Sequence, residues 1–165
     1  MFFGTLLTLK IGRWLGYVLG REVALAGEIR CNVKKPYLIE FDGIGAPEIG
    51  FISVAESSGA LPFEVQRIFW TYGTPESIVR GRHAHYQTEQ IIIAVAGRIL
   101  VTTEQANGTI EVFVLEKPSQ GVYVPPNVWH TMQYSKGAVQ MVLASTAYQE
   151  GDYIRDYAEF KSIWG

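Results

Sequence analysis

Cysteine is almost absent from this sequence, since Cys31 is the only one in 165 residues. One thiol cannot form a disulfide within the chain, and it cannot supply the clustered thiolates of a structural zinc site. A chain without disulfides suits a reducing compartment. We therefore expect a cytoplasmic protein.

The sequence also lacks an excess of charge of one sign. It has 14 Lys and Arg residues against 16 Asp and Glu residues, which gives a formal net charge of −2. Proteins that grip nucleic-acid backbones carry an excess of basic residues, so this balance argues against a nucleic-acid partner. Apolar residues make up 48% of the chain, which is enough to form the core of one domain of this length.

No apolar run is long enough to cross a membrane. Residues 1–35 are rich in Leu and other apolar residues, but Lys10, Arg13 and Arg21 interrupt them before about 18 apolar residues accumulate. The charges also follow the first apolar stretch, whereas the charge of a signal peptide precedes it. We interpret residues 1–35 as an N-terminal extension of unknown role. Either a packed, partly ordered segment or an interfacial or partner-docking helix fits this pattern.

From Pro36 onward, short segments rich in Val, Ile, Tyr, Phe and Trp alternate with turns such as Asn107-Gly108 and Lys136-Gly137. The predicted strands are Glu64–Tyr72, Glu89–Ala96, Arg98–Thr103, Thr109–Leu115, Gly121–Val124, Val128–Tyr134 and Ala138–Ala144. Seven short strands without helical periods between them predict an all-β fold, as an antiparallel sandwich, jelly roll or barrel. No linker divides residues 36–165, which we expect to form one domain.

A helix is predicted only at the C-terminus. Asp152 is a suitable N-cap for it. Apolar residues then recur at helical spacing, at Tyr153, Ile154, Tyr157, Phe160 and Ile163 or Trp164. The predicted helix would close one mouth of the β structure.

All three histidines lie in two short motifs, Arg80-Gly81-Arg82-His83-Ala84-His85 and Pro125-Pro126-Asn127-Val128-Trp129-His130. On a strand, His83 and His85 point to the same face, so both imidazoles are expected to converge on the interior. Together with His130 and Glu89 they form an acceptable ligand set for iron, manganese, nickel or zinc. The spacing alone therefore leaves a metal-dependent site open.

The two motifs resemble those of the cupins, with Asn127 where the family usually has glycine. A longer likeness is to the sugar-nucleotide 3,4-ketoisomerases, which act on dTDP-4-keto-6-deoxyglucose. It runs from about Ile39 to Lys161, and it adds Pro62-Phe63-x-x-x-Arg67, Met141-Val142-Leu143-Ala144-Ser145 and Asp152-Tyr153-Ile154-Arg155 to the histidine motifs. The resemblance implies a homodimeric cupin jelly roll that binds a dTDP-linked keto-deoxysugar and needs no metal or other cofactor.

The resemblance also implies that His83 and His85 carry the proton transfers. We predict that His85 is the base at C3 of the sugar and that His83 moves protons between the oxygens on C3 and C4. An imidazole of ordinary pKa exchanges protons near neutral pH. The other predicted site residues bind substrate, and they are Arg67, Arg80, Arg82, Glu89, Tyr123, Trp129 and His130.

Each of these substrate-binding predictions rests on a residue type. Arg80 and Arg82 match phosphate groups as bidentate donors, and Tyr123 and Trp129 offer rings to the thymine or the sugar. A carboxylate at Glu89 could orient one imidazole and fix its tautomer. His130 is expected to face the same cavity and help to set the orientation of the sugar.

One position departs from the family pattern. Ile49-Gly50 stands where many members have Arg-Gly, and that arginine lies toward the sugar, so the configuration of the product at C4 stays open. Two other functions also remain open from the residues. One is a metal-dependent cupin oxygenase or isomerase with His83, His85, Glu89 and His130 as ligands, and the other is a sugar-binding cupin without activity.

Overall fold

The computed structural model describes residues 34–56, 59 and 61–164. Its strands are β1 (Tyr37–Glu40), β2 (Gly43–Ala46), β3 (Gly50–Ser53), β4 (Arg67–Thr71), β5 (Arg80–His85), β6 (Gln90–Ala96), β7 (Ile99–Gln105), β8 (Ile110–Leu115), β9 (Gln120–Val124), β10 (Val128–Tyr134), β11 (Val139–Ala144) and β12 (Tyr153–Ile154). A 3₁₀ turn covers Glu150–Asp152, and α1 covers Tyr157–Trp164. The predictions made for residues 1–33 lie outside the described residues.

Two five-stranded antiparallel sheets pack against each other. The first has the order β1-β9-β6-β11-β4, and the second has the order β12-β5-β10-β7-β8. Between them lies a core to which both sheets contribute, with Ile92, Val122 and Val142 from the first and Val101 and Met132 from the second. The all-β prediction, as an antiparallel jelly roll, is therefore confirmed.

The first sheet also has apolar residues on its outer face. Strand residues alternate between the two faces of a sheet, so Ile91 and Ile93 point away from the core that contains Ile92. They form a second cluster with Phe41, Leu61 and the other members Ile39, Tyr123 and Leu143. A sheet covered on both faces explains why β6 reads as an almost continuous apolar run.

Strands β2 and β3 form a hairpin that the sequence pattern did not predict. They pair only with each other in the sheet topology, and Ile49 lies in the turn between them. The side chains of Ile44, Phe51 and Ile52 are more than half exposed. Glycine at three of the eight strand positions obscures the alternation of a strand in the sequence.

The C-terminal helix is confirmed, but its predicted start at Asp152 is wrong. The helix begins at Tyr157, and its first turn is capped by Asp156, whose Oδ1 accepts the backbone N–H of Glu159 at 2.9 Å. Phe160 is fully buried against Ala84 and Ile154. None of the helices within the described residues is long and apolar enough to cross a membrane.

Candidate active site

The three histidines meet inside the jelly roll. The ring centroid of His83 lies 5.0 Å from that of His85 and 4.5 Å from that of His130, and the rings of His85 and His130 are 6.2 Å apart. His85 and His130 are almost fully buried. The predicted convergence of the imidazoles is thus confirmed.

A bulge in β5 places His83 opposite His130. His130 pairs with His83 but Thr131 pairs with Gly81, so Arg82 is an extra residue in the strand. Gly81 and Arg82 both have left-handed backbones, with φ of 82° and 58°. A Cβ at Gly81 would lie 2.7 Å from the carbonyl oxygen of His130, so this position requires glycine.

Both ring nitrogens of His85 have hydrogen-bond partners. Nδ1 lies 2.9 Å from Oδ2 of Asp152, and Nε2 lies 3.0 Å from Nε2 of Gln90. Asp152 also accepts hydrogen bonds from the Thr88 hydroxyl and from the backbone N–H groups of Gln87 and Thr88. A carboxylate that accepts these bonds requires a proton on Nδ1 of His85, which leaves the lone pair on Nε2.

The site holds its imidazoles neutral at pH 7. Burial lowers the pKa of His85 to about 4, helped by the neighbouring His83 and opposed by Asp152. Burial also lowers the pKa of His83, and it lowers the pKa of His130 well below the ordinary range, with His83 and His85 adding to the effect. A neutral imidazole has a free lone pair and can accept a proton.

Asp152 stays ionised beside these rings. Burial alone would raise the pKa of its carboxyl group, but the hydrogen bonds from Thr88, the Gln87 amide and His85 outweigh burial, so the pKa is lowered. His130 fixes its own tautomer separately, because its Nδ1 donates to the carbonyl oxygen of Val128 at 3.1 Å. Its Nε2 therefore carries a lone pair as well.

Tyr153 is a site residue that sequence reasoning assigned to the helix. It lies in β12 directly opposite His85, and its ring centroid is 4.3 Å from that of His85 and 5.2 Å from that of His83. The guanidinium carbon of Arg155 lies 4.3 Å from the centre of the Tyr153 ring. Arg155 is held by Glu150, at 2.9 Å and 3.2 Å. The alternation of Tyr153 and Arg155 around the buried Ile154 was the available signal for a strand.

Arg67 faces the same interior from the first sheet. Its pairing partner is Ala144 on β11. Ala144 also pairs with Gln90 of β6, so the three residues form one row across the sheet. The guanidinium carbon of Arg67 lies 5.2 Å from the ring centre of Phe69 and 5.6 Å from that of Tyr148. Its Nε is buried and has no hydrogen-bond partner among the described residues.

The other predicted residues are divided between the outer face and the surface. Tyr123 is buried on the outer face of the first sheet with Tyr37 and Phe63, and its hydroxyl donates to Glu89. Glu89 also accepts from Lys34 at 2.8 Å. The predicted role of Glu89 in orienting an imidazole is wrong, since Asp152 occupies that position.

Trp129 and His130 are neighbours on β10 and point to opposite faces. His130 points inward, whereas Trp129 packs against α1, with its ring 5.2 Å from that of Tyr157 and 5.6 Å from that of Phe160. The predicted contact of Trp129 and Tyr123 with the sugar or thymine is therefore not available inside the barrel. Arg80 and Arg82 are exposed on the strand that leads to His83.

The proposed metal ligands do not form a metal site. No group of three or more His, Cys, Asp or Glu side chains within residues 34–56, 59 and 61–164 is arranged to hold a metal ion. The fourth proposed ligand, Glu89, is bound to Tyr123 and Lys34. The neutral, buried imidazoles are suited to acid–base chemistry.

An antiparallel jelly roll with a histidine cluster in its interior defines the chain as a cupin. Residues 34–164 match the model of the FdtA family, described as WxcM-like, C-terminal, and the chain belongs to this family.

Relatives of known activity support this assignment. The chain is 38% identical over 113 residues to the TDP-4-oxo-6-deoxy-alpha-D-glucose-3,4-oxoisomerase of Aneurinibacillus thermoaerophilus, over 68% of this chain and 81% of the relative. QdtA, a sugar 3,4-ketoisomerase from Thermoanaerobacterium thermosaccharolyticum solved in complex with TDP, aligns with a TM-score of 0.75 and 29% identity, over 80% of this chain and 96% of QdtA. WlaRA, a TDP-fucose-3,4-ketoisomerase from Campylobacter jejuni, aligns with a TM-score of 0.74 and 28% identity, over 80% and 97%.

The hydrogen bonds to Asp152 generate a prediction about stability. Asp152→Asn removes the charge from an acceptor of several bonds, so we expect the free energy of unfolding to fall by about 1–3 kcal/mol. The matched control is Asp156→Asn, which keeps a good N-cap for α1 and should cost less than about 0.5 kcal/mol. Urea unfolding of both variants measures the difference, and equal losses would contradict the role of Asp152.

Proposed function

We propose that the protein is a sugar-nucleotide 3,4-ketoisomerase of deoxysugar biosynthesis, which converts dTDP-4-keto-6-deoxyglucose into a dTDP-3-keto-6-deoxyhexose. The observation that carries the proposal is the set of neutral imidazoles around His85, with Nδ1 of His85 held by the Asp152 carboxylate. Relatives named as 3,4-ketoisomerases supply the reaction and the substrate class.

The reaction moves hydrogen between adjacent carbons. The C4 ketone acidifies the hydrogen on C3, so a base at C3 produces an enediol or enediolate. Returning a proton to C4 while the C3 hydroxyl loses its own proton gives the 3-ketone. Such a reaction requires one base for carbon and a second group that redistributes the oxygen protons, and imidazoles of tuned pKa suit both tasks.

His85 fits the role of carbon base. Its Nε2 carries the lone pair, and the Asp152 carboxylate stabilises the imidazolium that forms when Nε2 takes a proton. His83 fits the role of oxygen shuttle, because its ring is next to both His85, at 5.0 Å, and His130, at 4.5 Å. Neither role asks for a Lewis acid.

Arg67 fits the role of substrate-binding cation. The buried Nε of its guanidinium has no hydrogen-bond partner among the described residues, and an unpaired buried donor is costly. The diphosphate of the substrate or the negative charge that develops on the sugar would satisfy it. Arg155, which lies against the Tyr153 ring, is a second cation near the histidines.

The test is incubation of the purified protein with dTDP-4-keto-6-deoxyglucose after exhaustive chelation, followed by NMR of the product. We expect a 3-keto sugar to form, because the imidazoles need no metal, and the spectrum also gives the configuration at C4. Loss of turnover on chelation that one divalent ion restores would favour the metal-dependent cupin. Binding without turnover would favour the sugar-binding cupin.

The two histidines should differ in solvent deuterium exchange at C3. His85→Asn should abolish exchange and leave ligand binding intact, because the carbon base acts in the transition state. His83→Asn should keep some exchange but slow product formation by a factor on the order of 10² or more, the usual scale for a lost general acid or base. The reverse pattern would exchange the two roles, and unchanged turnover in both variants would place the site elsewhere.

We also propose that the protein is a homodimer that uses the outer face of the first sheet. Ile68 and Trp70 of β4, and Tyr72 beyond it, are more than half exposed on this side of the molecule. Near them a groove of about 840 Å³ is lined by Phe51 of the hairpin and Met141 of β11, among others. A two-stranded hairpin is marginal alone, so a second copy that packs on the hairpin and the sheet would stabilise both.

Light scattering at micromolar concentration tests the dimer. We expect the wild type to be dimeric and Trp70→Glu to be monomeric, because a charge on the interface cannot be desolvated without a partner. Ile110→Glu is the control, since Ile110 is equally exposed but lies on β8 of the other sheet. A monomeric wild type, or a dimer lost in the control alone, would contradict the proposal.

The histidine site lies entirely within residues 36–165, which leads to a proposal about the domains. We propose that residues 36–165 are the catalytic cupin domain and that residues 1–35 are an N-terminal extension of unknown role. The single cysteine of the chain fits an enzyme that acts in the reducing cytoplasm.

A further inference from the structure

Gln90 is a buried polar residue that the reaction described above does not use. Only 3% of its surface is exposed. It begins β6, where Ala144 and Val124 flank it in the sheet, and its side chain points inward while that of Glu89 points outward to Tyr123. Its Nε2 lies 3.0 Å from Nε2 of His85.

The hydrogen bond made by Nδ1 of His85 decides whether Nε2 donates to Gln90 or accepts from it. Because Nδ1 of His85 donates to the Asp152 carboxylate, Nε2 of His85 has no hydrogen and accepts. The amide N–H of Gln90 is therefore the donor. Without substrate, Gln90 occupies the lone pair that the carbon base must use.

We propose that Gln90 is the donor that stabilises the developing oxyanion on C4 of the substrate, an inference that rests on the proposed function. Substrate replaces the bond between the two side chains, so that Nε2 of His85 meets the C3 hydrogen and the Gln90 amide meets the C4 oxygen. These substrate atoms belong to adjacent carbons, and the two protein nitrogens are themselves 3.0 Å apart. One amide thus holds the base in place before binding and polarises the ketone after it.

The step balances without a further reagent. The C3–H bond breaks and its proton goes to Nε2 of His85, the electron pair forms the C3–C4 double bond, and the carbonyl pair moves to the C4 oxygen beside Gln90. In the return half, C4 receives a proton, the C3 hydroxyl loses its proton as the C3 ketone forms, and the C4 oxygen is protonated. A neutral donor suits this position, because an amide can stabilise the oxyanion without giving up its own proton.

The test compares two buried glutamines at opposite ends of the same strand pair. Gln90→Leu removes the proposed donor, and we expect kcat to fall by a factor of about 10²–10³ with little change in KM, as for a lost oxyanion donor. Gln140→Leu is the matched control, because Gln140 is 2% exposed, pairs with Ala94 of β6 and accepts a hydrogen bond from Tyr134. It should leave kcat unchanged.

A second variant keeps the proposal testable if Gln90→Leu fails to fold. Gln90→Glu keeps the size of the side chain but replaces the donor by a carboxylate that pairs with a protonated His85, so both turnover and C3 exchange should be lost while TDP binding survives. Unchanged or faster turnover in either Gln90 variant would overturn the proposal. Gln90 would then only hydrogen-bond to Nε2 of His85 in the absence of substrate. A wild type without turnover would instead refute the proposed function, and the Gln90 proposal with it.

Discussion

The hydrogen bond between Asp152 and His85 is the contact on which both the closure of the fold and the chemistry depend. It joins residues 67 positions apart, and it fixes the segment after β11 against β5. The carbonyl oxygen of Asp152 also accepts the backbone N–H of Tyr86 at 2.9 Å, so the same residue holds main chain and side chain together. From this anchor β12 pairs with β5, and Tyr153 reaches the histidines.

The same contact fixes the tautomer of a buried imidazole inside the barrel. Three imidazoles in a low-dielectric interior lose their charged forms, and a neutral imidazole without a fixed tautomer presents either nitrogen to a ligand. Asp152 selects Nδ1–H on His85, and the Val128 carbonyl does so on His130. Burial therefore supplies the neutral state, whereas hydrogen bonding decides which atoms of the site can accept a proton.

Much of this architecture could be predicted from the sequence, and the exceptions have physical causes. Alternation and turn residues located seven of the strands, and the i, i+2 spacing placed His83 and His85 on one face. Asp152 satisfies local rules for a helix cap equally well, so only the tertiary pairing with His85 distinguishes its role. Glu89 and Gln90 differ by one position, and a strand sends neighbours to opposite faces.

Aromatic residues were the other source of error. Tyr123 and Trp129 lie next to inward residues, but the first sheet has an apolar outer face and α1 covers Trp129. A sequence read one strand at a time does not reveal which face is covered by another element. Tyr153, by contrast, was hidden by the two-residue length of β12.

The proposed chemistry requires His85 to be a neutral base with its proton on Nδ1. Long-range ¹H–¹⁵N NMR of histidine-labelled protein measures this directly, and the chain has only three histidines to assign. We expect the Nδ1–H tautomer of His85 at pH 7, unchanged as the pH falls through 6.5, because burial lowers the pKa of His85 to about 4. An Nε2–H tautomer, or an imidazolium at neutral pH, would contradict it.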